Sequence, residues 1–181
     1  MNVLAFAASS SSQSINQKLA RFAAGLVDDA RVELLDINDY EMPLFSEDRE
    51  QLLGQPEPAK AFYQKIGAAD AIIIAFAEHN GSYTAAYKNL FDWTSRIGMK
   101  VYQNKPVVAL STSPGAGGAA SVLATAKHSA PFFGMDIVGS ASLPNFYDHF
   151  DAEQGTFHSA EAQALIKQAV NGLKASSKTR L

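Results

Sequence analysis

Val3-Leu4-Ala5-Phe6-Ala7-Ala8-Ser9-Ser10-Ser11-Ser12-Gln13-Ser14 opens the chain with an apolar run that breaks abruptly into hydroxyls. Beyond it Ile15, Leu19, Phe22, Ala23 and Leu26 recur at helical spacing, and Ser14 with Gln17 three residues later forms a capping-box signature. The order is a buried strand, a serine-rich loop and the N-terminus of a first helix. Such a junction gathers backbone N–H groups and the positive end of a helix dipole, and hydroxyls add further donors. It suits an anion, above all a phosphate.

Working outward, apolar strands keep alternating with helical patterns. Arg31 to Ile37 reads as a second strand around Val32 and Leu34, followed by an irregular stretch with Pro43, Gly54, Pro56 and Pro58 and then a helix from Glu57 to Gly67. Ala71-Ile72-Ile73-Ile74-Ala75-Phe76-Ala77 is apolar at every position, as strands covered on both faces are, so it is read as central. Tyr83, Tyr87, Leu90, Phe91, Thr94 and Ile97 share a helical stripe. Pro106 to Leu110 is a fourth strand, Ala119 to Ala130 a helix, Asp136 to Ser140 a fifth strand, and Ala162 to Leu173 a closing helix.

Repeated βα units of this size imply an α/β fold with an open parallel sheet, and right-handed crossovers favour the doubly wound form. The flavodoxin-like strand order 2-1-3-4-5 fits five strands, and ligands of such sheets sit beyond the carboxyl ends of the strands at the switch point. Three loops are then expected to converge: Ser9 to Asn16, Ala77 to Ser82 and Ser111 to Gly118.

Composition narrows the partners. At 181 residues the chain is read as a single domain over 1–181, and its net charge of −3 offers no general attraction to nucleic acid or an anionic membrane. Without cysteine there is no thiol nucleophile or disulfide, and no apolar run approaches a membrane span. A soluble, cytoplasmic protein is expected.

The three loops also carry a family resemblance. Ala8-Ser9-Ser10-Ser11-Ser12-Gln13-Ser14-Ile15-Asn16 resembles the G-S-x-R-x-x-S-x-N phosphate loop of the NADPH-dependent FMN reductase family, which includes quinone, chromate and azo-dye reductases. Glu78-His79-Asn80-Gly81-Ser82 followed by Lys88-Asn89 and Asp92-Trp93 is similar to that family's P-E-Y-N-G-S…L-K-N-A-x-D-W signature. Ser111-Thr112-Ser113-Pro114-Gly115-Ala116-Gly117-Gly118 resembles its third flavin loop, and Asp36 to Phe45 its connector after the second strand.

The resemblance implies FMN as cofactor and NADPH or NADH as hydride donor. It places the phosphate on Ser9, Ser11, Ser14 and Asn16, the ring edge on Glu78, His79, Asn80 and Gly81, and the opposite side on Ser113, Gly115 and Gly117. Flavin carries the chemistry, so no catalytic side chain is assigned, and His79 is a candidate tuner of the ring. It also implies a homodimer or homotetramer, with Phe45, Tyr87 and Phe91 packed either against a partner subunit or within the chain. The expected reaction passes electrons from NAD(P)H through FMN to a flavin, quinone or similar small acceptor. Three positions depart from the pattern: Ser11 stands for the family arginine, Ala77 for its proline and His79 for its tyrosine.

Other readings fare worse. Gly115 to Ala120 matches a dinucleotide G-x-G-x-x-A pattern with Asp136 downstream, but Asp136 opens its strand whereas a ribose-binding acid belongs at the far end. An FMN-binding electron carrier without NAD(P)H turnover is the closer rival. Asp148-His149-Phe150-Asp151 reads as a polar loop rather than a metal site.

Overall fold

The computed structural model describes residues 1–179. Strand β1 (Asn2–Ala8) leads through helix α1 (Ile15–Gly25) to β2 (Arg31–Leu35), a 3-10 turn (Ile37–Tyr40), α2 (Glu47–Leu53), α3 (Glu57–Ala68) and β3 (Ala71–Phe76). A hairpin of β4 (Glu78–His79) and β5 (Ser82–Tyr83) precedes α4 (Ala85–Ser95), β6 (Lys105–Thr112), α5 (Ala120–Ser129) and β7 (Met135–Leu143). A second hairpin, β8 (Phe150–Asp151) with β9 (Thr156–Phe157), ends in α6 (Ala160–Thr179).

The five long strands pair in parallel in the order β2-β1-β3-β6-β7, the expected doubly wound arrangement. Alternate side chains of the central strands feed two cores. Leu4, Phe6, Ile72, Ile74, Val107 and Ala109 pack with Phe62, Ile66, Leu90 and Val122 on one face. Val3, Ala5, Ile73, Val108 and Leu110 pack with Leu19, Ala23, Ile166 and Val170 on the other. Burial on both faces explains why β1 and β3 read as unbroken apolar runs.

Register sets the level of the loops. Ala8 lies beside Phe76, Phe76 beside Ser111, and Thr112 beside Leu143, so β1, β3, β6 and β7 release their chains at one height.

Several boundaries differ from expectation. The second strand stops at Leu35 because the Asp36 carboxylate accepts from Asn38 N at 2.9 Å and caps the 3-10 turn. Helix α2 stands in the stretch expected to be irregular; Ser46 accepts from Arg49 N at 3.2 Å, Glu47 and Asp48 enrich its first turn, and Gly54 closes it at φ +67°. It buries none of its residues, so no apolar stripe announces it. The second loop is a hairpin whose Asn80-Gly81 corner has φ of 52° and 78°, the left-handed pair that a two-residue type I′ turn requires. The capping box is half made: Ser14 accepts from Gln17 N at 3.2 Å, but the Gln17 side chain reaches Ala7 N at 2.8 Å and Leu35 O at 3.4 Å instead of returning to Ser14.

Tyr87 and Phe91 belong to the chain's own core, and Phe45 meets the buried Trp93 edge-on at 5.1 Å. Asn89 and Trp93 clamp the connector: Asn89 accepts from Phe45 N at 2.8 Å and donates to Met42 O at 3.1 Å, while Trp93 Nε1 donates to Pro43 O at 2.7 Å. Lys88 and Asp92 form an exposed ion pair one helical turn apart.

Helix α6 lies against β7 at two glycines. A Cβ on Gly139 would stand 2.0 Å from Ala169 O, and one on Gly172 would stand 2.0 Å from Val138 O. Gly139→Ala is therefore expected to destabilise the chain by about 1–3 kcal/mol or more, read as a lower urea midpoint at unchanged slope. An unchanged midpoint would contradict this packing.

Candidate active site

A cleft of about 250 Å³ opens where the level strand ends meet, lined by Ser9, Ser11, Ser14, Glu78, His79 and Ser113 among others. Asn16 lines it too, from a buried position. Asn80, Gly81, Gly115 and Gly117 fall outside the enclosed part, at exposed positions of the neighbouring turns. A larger hollow of about 600 Å³ lies elsewhere, along Met135–Ser140 of β7, and none of the candidate residues lines it.

Four braces hold the loops around the cleft. Asn16, only 2% exposed, donates to Thr112 O at 3.1 Å and accepts from Thr112 N at 3.0 Å, tying the start of α1 to the end of β6. Thr84 caps α4 by accepting from Tyr87 N at 3.2 Å and donates to Ala8 O at 3.0 Å, tying α4 to the end of β1. Helix α5 begins at Ala119 in the left-handed region with no cap of its own; the Glu78 carboxylate supplies one, accepting from Val122 N at 2.8 Å. Ser111 and Ser142 both donate to Gly118 O, at 2.8 and 2.9 Å.

The third loop is pinned through its carbonyls. Phe146 N donates to Ser113 O at 3.1 Å and Asn145 N to Gly115 O at 3.0 Å. The amides of Ala116 and Gly117 find no acceptor among the described residues. A Cβ on Gly115 or Gly117 meets no atom within 4 Å, so both face open space.

The serine loop spends many of its amides on itself. Ser11 N reaches Ser9 Oγ at 3.3 Å, Gln13 N reaches Ser11 Oγ at 3.3 Å, Ser14 N reaches Ser11 O at 3.1 Å, and Gln17 N reaches Ser14 Oγ. The hydroxyl protons of Ser9, Ser11 and Ser14 remain available to a ligand, since each oxygen accepts in these bonds.

Tyr147 is a lining residue that periodicity missed. It is 65% exposed and meets the buried Phe146 ring edge-on at 5.4 Å. It follows β7 in a 3-10 turn (Phe146–Asp148), and an exposed aromatic ring beside a cleft was the available signal. Beneath the hairpin lie Tyr83, Tyr87 and Tyr102; burial pushes all three phenols above their ordinary range, and the Tyr87 and Tyr102 oxygens sit 2.5 Å apart. They form a neutral aromatic floor and move no proton near pH 7.

These residues fit a flavin mononucleotide: hydroxyls at a helix start for the phosphate, unpartnered amides and a turn corner for the ring edge, and an exposed aromatic wall. The sequence model of the NADPH-dependent FMN reductase family matches residues 1–148, from β1 through Tyr147. The chain belongs to the NADPH-dependent FMN reductase family.

Its relatives agree. It is 31% identical over 177 residues to the NAD(P)H-dependent FMN reductase of Pseudomonas aeruginosa, covering 96% of this chain and 94% of that one. It is 33% identical over 141 residues to a quinone reductase of Pseudomonas putida, covering 72% and 74%. Among solved structures, FerB of Paracoccus denitrificans, a flavoenzyme NAD(P)H:(acceptor) oxidoreductase, superposes with a TM-score of 0.73 at 26% identity over 94% of this chain and 93% of that one. Like these relatives, this FMN reductase family member is an NAD(P)H-dependent oxidoreductase with the flavodoxin-like fold. Among the described residues, no helix is long and apolar enough to cross a membrane.

Ser14 has two tasks that a substitution separates. Aspartate caps helices as well as serine, so Ser14→Asp is expected to hold the melting temperature while a carboxylate facing a phosphate dianion weakens FMN binding at least tenfold. Undiminished affinity in a titration of tryptophan or flavin fluorescence would remove Ser14 from the site.

Proposed function

We propose that this family member holds FMN across the three braced loops and uses NAD(P)H to drive reduction of a quinone, a flavin or a similar small acceptor. The carrying observation is the single cleft formed where Ser9–Asn16, Ala77–Ser82 and Thr112–Gly117 meet at level strand ends.

In this reading the phosphate rests on the hydroxyls of Ser9, Ser11 and Ser14 at the start of α1, with Asn16 fixing the loop from behind. The backbone of Glu78, His79, Asn80 and Gly81 meets one edge of the ring, and Ser113, Gly115 and Gly117 flank the other. The enclosed 250 Å³ is less than the roughly 300–1,000 Å³ usual for a site that swallows its ligand, so the ring extends over the rim. That leaves a face open for nicotinamide and acceptor in turn.

Bound flavin supplies the hydride and electron chemistry. The chain binds and orients: the amides of Ala116 and Gly117 are donors for negative charge at the pyrimidine edge, and Tyr147 walls the open side. His79, exposed at the hairpin, lies where its charge adjusts the ring's environment.

The chain is proposed to work as one domain in the cytoplasm and to assemble as a homodimer or homotetramer. Helix α2 buries nothing, and Leu44, Leu52 and Leu53 around it are exposed, which is apolar area for a second copy to cover.

The deciding experiment adds FMN and then NADPH to the protein under anaerobic conditions. Flavin bands that shift on binding and bleach with NADPH are expected; bands that shift and persist contradict a reductase. Tyr147→Ser is expected to raise the KM for NAD(P)H or weaken flavin binding severalfold at unchanged melting temperature, because the side chain is exposed and braces nothing. Kinetics and affinity both equal to wild type would remove Tyr147 from the site.

A further inference from the structure

The anion end of the cleft is built without a cation. Of the residues lining it, none is lysine or arginine; His79 brings the one imidazole and Glu78 the one carboxylate. Lys18, on the first turns of α1, has its Nζ 5.3 Å over the Phe150 ring. The amides that would make a phosphate cradle are largely committed within the loop, at Ser11, Gln13, Ser14 and Gln17. What remains at the phosphate position is mainly neutral hydroxyl donors.

Resting on the flavin-site reading above, we infer that recognition lies in the ring rather than the phosphate, and that this protein accepts unphosphorylated flavins such as riboflavin as well as FMN. A net hydrogen bond between neutral groups contributes about two- to tenfold in affinity, whereas one to a charged group contributes roughly ten- to a hundredfold. A dianion held by neutral donors, with the Glu78 carboxylate lining the same cleft, gains little from its charge once its own hydration is lost. The ring contacts assigned to the hairpin, the third loop and Tyr147 are the same for both flavins.

The chemistry is also unchanged by the missing phosphate. The C4–H bond of the dihydronicotinamide breaks, its hydride bonds to flavin N5, and NAD(P)⁺ and the reduced flavin anion result; two electrons move and no further reagent is needed.

The test compares dissociation constants of FMN and riboflavin for the full chain, at low and high sodium chloride, with Ser11→Arg as a paired variant. The expected result is constants within tenfold of one another, changing less than about threefold with salt, because few fixed charges are screened. Ser11→Arg is expected to tighten FMN at least tenfold and leave riboflavin unchanged. FMN bound more than tenfold tighter than riboflavin by the unaltered chain overturns this inference and leaves the reductase reading standing. Binding of neither flavin overturns both.

Discussion

A buried side-chain amide holds the site together. Asn16 and Thr112 are 96 residues apart and exchange two hydrogen bonds, the amide standing in for a neighbouring strand. Both residues are nearly inaccessible, so removing either partner would leave the other's polar groups dry and unsatisfied, which costs about 1–3 kcal/mol for each. The bond fixes the start of α1 relative to the end of β6, and the serine loop and the glycine-rich loop therefore cannot drift apart. Thr84 does the same between β1 and α4, and Glu78 between the hairpin and α5. All three braces use polar groups within the loops and none uses the hydrophobic core.

This division of labour explains how the fold supports chemistry it does not perform. The sheet delivers four strand ends at one level, the braces lock the loops that leave them, and the ligand-facing groups are then free of structural duty. Ala116 and Gly117 keep their amides, Gly115 and Gly117 keep open space, and Tyr147 keeps an exposed ring. Glu78 shows why the family's second motif is more than a ring contact: its carboxylate completes a helix that lacks a cap of its own. Asn89 and Trp93 show the same of the later part of that motif, since both are spent holding Met42 to Phe45 in place.

Much of this was legible in the sequence, for physical reasons that differ by element. Strands β1 and β3 are buried on both faces and so advertise themselves as apolar runs, and their order with the intervening helices prescribes the sheet. The three loops followed from that topology, and Ser9, Ser11, Ser14, Asn16, Glu78, His79 and Ser113 do meet in one cleft. Helix α2 was silent because it buries nothing, and Tyr147 because it follows a strand that ran three residues past its expected end at Ser140. The braces were illegible for a deeper reason. Whether Gln17 returns to Ser14 or reaches Ala7, and whether Glu78 faces a ligand or Val122, depends on where a distant backbone stands, which no local spacing encodes.

The most direct test of the central claim is an amide chemical-shift titration with FMN. If the braced loops form one flavin site, the perturbed resonances cluster at residues 9–17, 77–82, 112–118 and 146–147. Perturbations centred instead on the hollow along Met135–Ser140, or spread across both sheet faces without the serine loop, would contradict the account.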